Sequence, residues 1–447
     1  MKALTYLRAR AEHRLNERRS PAEIEARRIA KFRRLAAHAA ANSPYYQEII
    51  AKNRINIATC RPEDFPPLTK TEAMANFDRL ITDRRVRKAD VDRFIMNSSD
   101  PLELLHNRYT VIHTSGSSGI IGVFVFDPDD WARGAAKAGR LWPKGSLRRR
   151  RFAYFGSDRG HTGGVTNGAA PQRFWARLRF RAILCNSEGP LSESVEALNR
   201  FQPDILTSVP SYLMQLVEQQ ERGALKISPS AIMTGGEVVT DEHWERLESA
   251  FGGEVLDVYG SSEHLTMGIK RRAYGGTYLL EDDLIFELEE KRTLVTNLFN
   301  YTFPLIRYVM DDLMVPLEDP NPMFPLAKVR ISAGRPEQPA IFTNAGGEDV
   351  RVGSFDQFYV PDLRGHQLRV IDKTSCVLRF MLDLDLSEER REAAFAAIEN
   401  RLAEEFKKHD LPNVDLRIEE VENFGGGKFH MMVTPEMQAV ERLGTGA

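Results

Sequence analysis

The sequence predicts an α/β protein in two parts. Residues 1–334 read as a large N-terminal α/β domain with a mostly parallel sheet and a small barrel-like β region. Residues 335–447 read as a small, mobile C-terminal α+β domain. Three observations predict this. Between about residues 105 and 265, short β-rich apolar runs alternate with helical patterns, and several runs end in glycine. Strands alternating with helices imply a parallel sheet packed under helices. Residues 277–333 are strand-rich and turn-rich, implying an antiparallel sheet or small barrel. After about residue 363 the order becomes strand, strand, long helix, strand, strand, a separate unit. A chain of 447 residues accommodates two or three domains.

Taken in order, residues 1–42 read as helical, with Leu4, Leu7, Ala11 and Leu15 spaced at three or four and many arginines. Glu12, Glu17, Glu23 and Glu25 are interleaved, so the segment reads as a solvated helix packed on the main domain. A face for a membrane or nucleic acid is the lesser reading. Ser43-Pro44-Tyr45-Tyr46 breaks the helix. Thr69 is expected to cap another, with Glu72 completing a capping box. Strands are expected at Tyr109–His113, Phe152–Phe155, Ala182–Leu184, Asp204–Thr207, Ala231–Thr234 and Glu254–Tyr259, and helices at Tyr212–Arg222 and Asp241–Phe251. Gly334-Arg335-Pro336 reads as a hinge. Beyond it, Gln367–Ile371, Val377–Leu382, Val414–Glu419 and Phe429–Val433 read as strands and Glu388–Lys408 as a helix.

Composition narrows the function. The 61 basic and 63 acidic residues give a net charge of -2, which offers no global attraction to a polyanion, so no nucleic-acid partner is expected. Cys60, Cys185 and Cys376 lie far apart and form no disulfide framework or C-x-x-C pair. No apolar run reaches the ~18 residues of a membrane span. The start Met1-Lys2-Ala3-Leu4 lacks the apolar core of a signal peptide. A cytoplasmic protein with no membrane partner is expected, as a monomer or homodimer.

The loops at strand ends carry the chemistry. Thr114-Ser115-Gly116-Ser117-Ser118-Gly119 puts four hydroxyls and two glycines in six residues directly after a β-rich run. Successive N–H groups in such a loop form an anion nest, and hydroxyls add donors, which points to phosphate. It is not a Walker loop, since G-x-x-x-x-G-K-[ST] is absent. Tyr259-Gly260-Ser261-Ser262-Glu263 ends another strand, and a carboxylate beside a nucleotide can hold Mg²⁺. Gly425-Gly426-Gly427-Lys428 offers a lysine on a loop tip, able to reach a phosphate as a point charge. His161, in Gly160-His161-Thr162-Gly163-Gly164, is a candidate substrate contact or an ordinary loop histidine. His113 reads as a satisfied strand residue, and Arg148–Arg151 as a solvated edge. In parallel sheets ligands sit beyond the carboxyl ends of the strands, where these loops lie.

Together these segments resemble the acyl-adenylate-forming superfamily of acyl-CoA synthetases, adenylation domains and luciferases. Thr114–Gly119 resembles its phosphate loop. Gly235-Gly236-Glu237 and Tyr259–Glu263 resemble its adenine and magnesium segments. Pro304-Leu305-Ile306-Arg307-Tyr308 followed by Asp312 resembles its ribose motif, Gly334-Arg335 its hinge, and Gly427-Lys428 its catalytic lysine. Ser43-Pro44-Tyr45-Tyr46, Leu68-Thr69-Lys70 and the 304–308 segment are most similar to the phenylacetate–CoA ligase branch. Thr114–Phe126 resembles a subgroup that includes synthetases adenylylating the deazaflavin coenzyme of methanogens. Three departures stand out: Ile120-Ile121-Gly122-Val123 where the family has a lysine, Val309-Met310-Asp311 in place of Arg-Thr-Gly, and Pro336-Glu337-Gln338 after the hinge.

The resemblance implies ATP and Mg²⁺ as cofactors, with coenzyme A as a further one, and adenylation of a small, aryl carboxylic acid with release of pyrophosphate. It implies that Thr114, Ser115, Gly116, Ser117, Ser118 and Gly119 hold phosphates, that Gly235, Gly236, Glu237, Tyr259, Gly260, Ser261 and Ser262 border the nucleotide, and that Asp312 binds ribose. Glu263 would bind Mg²⁺, Lys428 would stabilise the α-phosphate and Arg335 would lie near the pivot. The acid is placed near His161, Gly163, Pro210 and Tyr212. The acceptor is left open between coenzyme A, a carrier-protein thiol and an amine. Adenylylation of a non-carboxylate without coenzyme A, and a degenerate nucleotide-binding scaffold, remain as alternatives.

Overall fold

The computed structural model describes residues 2–114, 120–140, 148–173, 176–187, 189–237, 239–310, 312–332, 340–352, 360, 362–382, 386–422, 432–433 and 435. Two compact units are distinguished: residues 1–91, 100–112 and 124–334, and residues 92–99, 113–123 and 335–447. Ser115 to Gly119, Arg335 and Lys428, all expected site residues, lie outside the described residues.

The chain begins with helices α1 (Lys2–Asn16), α2 (Pro21–Asn42), α3 (Pro44–Asn53), α4 (Lys70–Ala75), α5 (Phe77–Leu80) and α6 (Lys88–Asn97). The 1–42 stretch is two helices because Ser20 starts a new one: its hydroxyl accepts from Glu23 N, Glu23 reaches back to Ser20 N, and Pro21 stands in the first turn. Ser43 caps α3 in the same way, accepting from Tyr46 N. Thr69 caps α4, but the expected capping box is only half made. The Glu72 carboxylate accepts from the Tyr45 hydroxyl at 2.7 Å.

Strands β1 (Thr110–His113) and β2 (Val123–Phe126) pair, and helix α7 (Pro128–Lys137) follows. Strands β3 (Arg150–Gly156), β4 (Phe180–Asn186), β5 (Ile205–Thr207), β6 (Ala231–Thr234) and β7 (Glu254–Ser261) then alternate with helices α8 (Gly163–Ala169), α9 (Leu191–Phe201), α10 (Pro210–Glu221) and α11 (Asp241–Phe251). Next come β8 (Leu265–Lys270), β9 (Thr277–Leu279), β10 (Leu284–Leu288), β11 (Thr293–Asn297), β12 (Tyr308–Met310), β13 (Leu313–Pro316) and β14 (Lys328–Ser332).

One sheet has the order β13-β14-β9-β8-β7-β6-β5-β3-β4. Its β4-β3-β5-β6-β7 half is parallel and the remainder antiparallel. The antiparallel strands of 277–333 therefore divide between the edge of this sheet and a separate β10-β11-β12 sheet. Neighbouring residues of the parallel strands face opposite ways, as a period of two requires. Ala153, Leu206, Ile232 and Val255 pack with Leu213, Leu216 and Trp244. Phe152, Ile205, Ala231 and Leu256 join the core on the other side, with Ile269 and Tyr278. Burial on both faces explains why these strands read as continuous apolar runs.

In the second unit, β15 (Ala340–Thr343) pairs with β16 (Asp349–Val352). A further sheet has the order β19-β18-β17-β20, with β17 (Leu363–Asp372), β18 (Ser375–Leu382), β19 (Asp415–Glu420) and β20 (Met432–Val433). Helix α12 (Glu388–Lys408) connects β18 to its parallel partner β19 and buries Ala394, Ile398, Leu402 and Phe406, one stripe at helical spacing. All three cysteines are buried and none is paired. No helix among the described residues is long and apolar enough to cross a membrane.

Candidate active site

The parallel half of the sheet defines where a ligand can sit. Strand β4 follows β3 in sequence and lies on one side of it, while β5 lies on the other. The chain thus reverses its winding between β3 and β5, which opens a crevice at their carboxyl ends. Residues after β3 include His161, buried, and Gly163, which starts α8. Pro210, buried, starts α10 just after β5, and the half-buried Tyr212 sets its ring edge-on to Phe155 of β3. Ser208 ties the ends together, its hydroxyl donating to Phe155 O and its N–H to Met233 O. The four expected substrate residues therefore flank the crevice.

Strands β6 and β7 end beside it. Gly235 cannot be replaced freely, because a Cβ there would stand 2.3 Å from Val258 O, and Gly236 has φ +83. The Glu237 carboxylate accepts from Ser211 N at 2.9 Å and Ser211 Oγ at 2.8 Å, so it braces the start of α10. Strand β7 bulges at Tyr259/Gly260. A Cβ on Gly260 would lie 2.8 Å from Leu265 O, and one on Gly163 would lie 3.0 Å from Ser262 Oγ. The turn after β7 is thereby packed against the start of α8.

Tyr259 Oη donates to Asp312 Oδ2 at 2.9 Å, joining the expected adenine and ribose segments. Glu263 is buried, and its Oε1 accepts from Tyr308 Oη at 3.1 Å and lies 3.7 Å from Lys70 Nζ. The backbone beneath it is held from three directions. Asn297 Nδ2 donates to Glu263 O at 3.2 Å, Lys137 Nζ to His264 O at 2.8 Å, and His264 N to Ser261 Oγ at 3.1 Å. Burial pushes the Lys137 ammonium down to about 7, against the pull of Asp283 and Asp282. Burial and the charge of Lys137 hold His264 well below the usual imidazole range, so it is neutral. Burial raises Asp257, two residues before Tyr259, to about 6, opposed by Lys270.

Lys70 and Tyr308 were given no role at the site by the sequence. Each stood in a segment that resembles the family, yet no local signal tied either to Glu263. The connection is tertiary: Leu68 N donates to Arg307 O and Val309 N to Leu68 O, both at 2.9 Å, which brings the start of α4 beside β12.

Among the described residues no group of three His, Cys, Asp or Glu side chains could cage a metal. Mg²⁺ in nucleotide sites commonly uses one or two carboxylates plus phosphates and water. A single buried carboxylate on a rigid turn, Glu263, fits that mode. In the second unit, Thr114 N donates to Gly122 O and Gly122 N to Thr114 Oγ1, both at 2.8 Å. These two bonds join Thr114 to Gly122. His113, the last residue of β1, is buried.

A family model described as AMP-binding enzyme matches residues 174–281, the span from β4 through β9. The phenylacetate–coenzyme A ligase of Escherichia coli K12 is 24% identical over 319 residues, 65% of this chain and 67% of that protein. Protein CapK of Staphylococcus aureus is 25% identical over 301 residues, 63% of this chain and 60% of that one. A solved 2-hydroxyisobutyryl-CoA ligase in complex with 2-HIB-AMP and CoA superposes with a TM-score of 0.59 at 17% identity, covering 97% of this chain and 94% of that chain; that likeness is one of fold. The matched AMP-binding segment and these relatives agree: the chain is similar to AMP-forming, acyl-adenylate-forming ligases, on the phenylacetate–coenzyme A ligase-like branch, and shares their fold.

Proposed function

We propose that this ligase adenylates a small aryl carboxylic acid at the crevice between β3 and β5 and passes the acyl group to coenzyme A. The observation that supports the reading best is the grouping at one end of the sheet. The Tyr259–Asp312 pair, the buried Glu263 and the His161 and Pro210 loops all follow strand ends there.

A carboxylate is a poor electrophile. In the first step its oxygen bonds to the α-phosphorus of ATP, and the bond from that phosphorus to pyrophosphate breaks. In the second, the thiol sulfur bonds to the acyl carbon, AMP leaves with the electron pair, and the thiol proton goes to solvent. Little covalent chemistry is asked of the protein, which orients the reactants and stabilises developing charge. Asp312 accepts from the ribose hydroxyls, Tyr259 holds that carboxylate, and Gly235 and Gly236 let the backbone approach adenine. Glu263 would hold Mg²⁺, which when bound would screen the charge of the phosphates. Lys70, beside Glu263, supplies a cation to the same charge. Thr114 to Gly119 bind the β- and γ-phosphates, and Lys428 stabilises the α-phosphate as charge builds. Arg335 at the junction between a 1–334 and a 335–447 domain allows that lysine to come and go.

The test is pyrophosphate release from Mg·ATP with a panel of aryl and short-chain acids, each with and without coenzyme A. Release that requires one acid, with a thioester as product, supports the reading. An adenylylated compound that persists in the presence of coenzyme A would show that AMP stays on a product and that the thiol is not the acceptor. Lys428→Ala should lower adenylate formation by on the order of 10²–10³, the loss of one transition-state donor; an undiminished rate removes Lys428 from the mechanism.

A further inference from the structure

The leucines that the sequence spaces along α1 face outward. Leu4, Leu7 and Leu15 are 50%, 61% and 53% exposed, and Ala11 is exposed between them. At 3.6 residues per turn these four occupy an arc of about 80°, with Arg8 and Arg14, both exposed, about 20° beyond each edge. The acids that interleave this stretch are turned away. Glu12 lies 3.2 Å from Lys31 and Glu17 lies 3.5 Å from Arg140. An apolar stripe with a cation on either side is the arrangement of a helix lying in a lipid interface, where arginine stems run along the apolar layer and the heads reach phosphate.

The face is rigidly presented. On the inner side His13 Nε2 pairs with Asp283 Oδ2 at 2.7 Å, Asn16 Nδ2 donates to Asp282 Oδ1 at 2.6 Å, and Arg140 Nη2 donates to His13 O at 3.0 Å. We propose that α1 docks this ligase on an anionic phospholipid surface, with Leu4, Leu7 and Leu15 entering the headgroup boundary and Arg8 and Arg14 on the lipid phosphates. A nucleic acid offers nothing to the central leucines.

The experiment is flotation of the full chain with phosphatidylcholine vesicles, with and without phosphatidylglycerol. Binding to the anionic vesicles alone is expected. Arg8→Glu with Arg14→Glu should weaken it roughly tenfold or more. Leu4→Ser with Leu7→Ser should abolish it, and neither pair should alter thermal unfolding or pyrophosphate release, since all four side chains face outward. No vesicle binding, or binding that survives the leucine changes, overturns the proposal. So does a dimer that the leucine changes dissociate, which would assign the face to self-association.

Discussion

A tyrosine hydroxyl helps orient Asp312, and that makes its role separable from folding. Tyr259→Phe removes the 2.9 Å bond and nothing larger. One bond to a charged group is worth about 1.5–3 kcal/mol. KM for ATP should therefore rise on the order of tenfold with kcat little changed, as initial rates at varied ATP will read. Asp312→Ala should weaken ATP binding by at least as much in calorimetry, and an unaltered affinity would remove the ribose assignment. Glu263→Gln keeps the shape and the contact with Tyr308 while removing the charge. The magnesium concentration for half-maximal activity should rise markedly, and an unchanged requirement would place the metal elsewhere.

At the scale of elements, the segments that most mark the branch turn out to lock one another. Tyr46 Oη donates to Pro304 O at 3.0 Å and accepts from Ile306 N at 3.1 Å. Arg307 sits at φ 52, pairs with Glu287 at 2.8 Å and donates to Phe65 O at 2.9 Å. Leu68 then pairs with both neighbours of Tyr308. The lock sets where Lys70 and Tyr308 stand relative to Glu263. Tyr46→Phe leaves a buried carbonyl and a buried N–H without this partner, at about 1–3 kcal/mol. Denaturant unfolding should show that loss, together with reduced activity. Arg307→Met strands the Glu287 carboxylate in a mostly buried place and should cost more, about 3–5 kcal/mol.

The whole molecule carries its own pH response. Asp130, fully buried on α7, accepts from Thr302 N at 3.0 Å and Thr302 Oγ1 at 2.7 Å. Burial, with repulsion from Asp127, pushes its carboxyl from 3.8 up to about 7. Between about pH 4 and pH 7 the folded state keeps a proton that the unfolded chain has released, so this group's contribution to stability falls as pH rises through that window. Asp130→Asn removes the titration. The stability of the variant relative to the parent should therefore increase from pH 4.5 to 7, by more than about 1 kcal/mol, and a flat difference curve would deny the raised value.

Much of this fold was legible because its signals are local. The helices expected around Asp241–Phe251 and at Glu388–Lys408 are present, and the buried parallel strands were legible from short apolar runs, several ending in glycine. Tyr259, Glu263 and Asp312 were legible as types of residue at strand ends. What the sequence could not hold was which way a periodic face turns. Leu4, Leu7 and Leu15 have the spacing of a core stripe, yet they face solvent while His13 and Asn16 are buried, because paired aspartates at 282 and 283 draw polar groups inward. Nor could it show that Glu72 would serve Tyr45, or that the antiparallel strands would divide between two sheets. Local chemistry, read along the chain, determined the elements and the kinds of group at their ends. Partners distant in sequence decided pairing, facing and proximity, since a hydrogen bond or ion pair depends on distance in space.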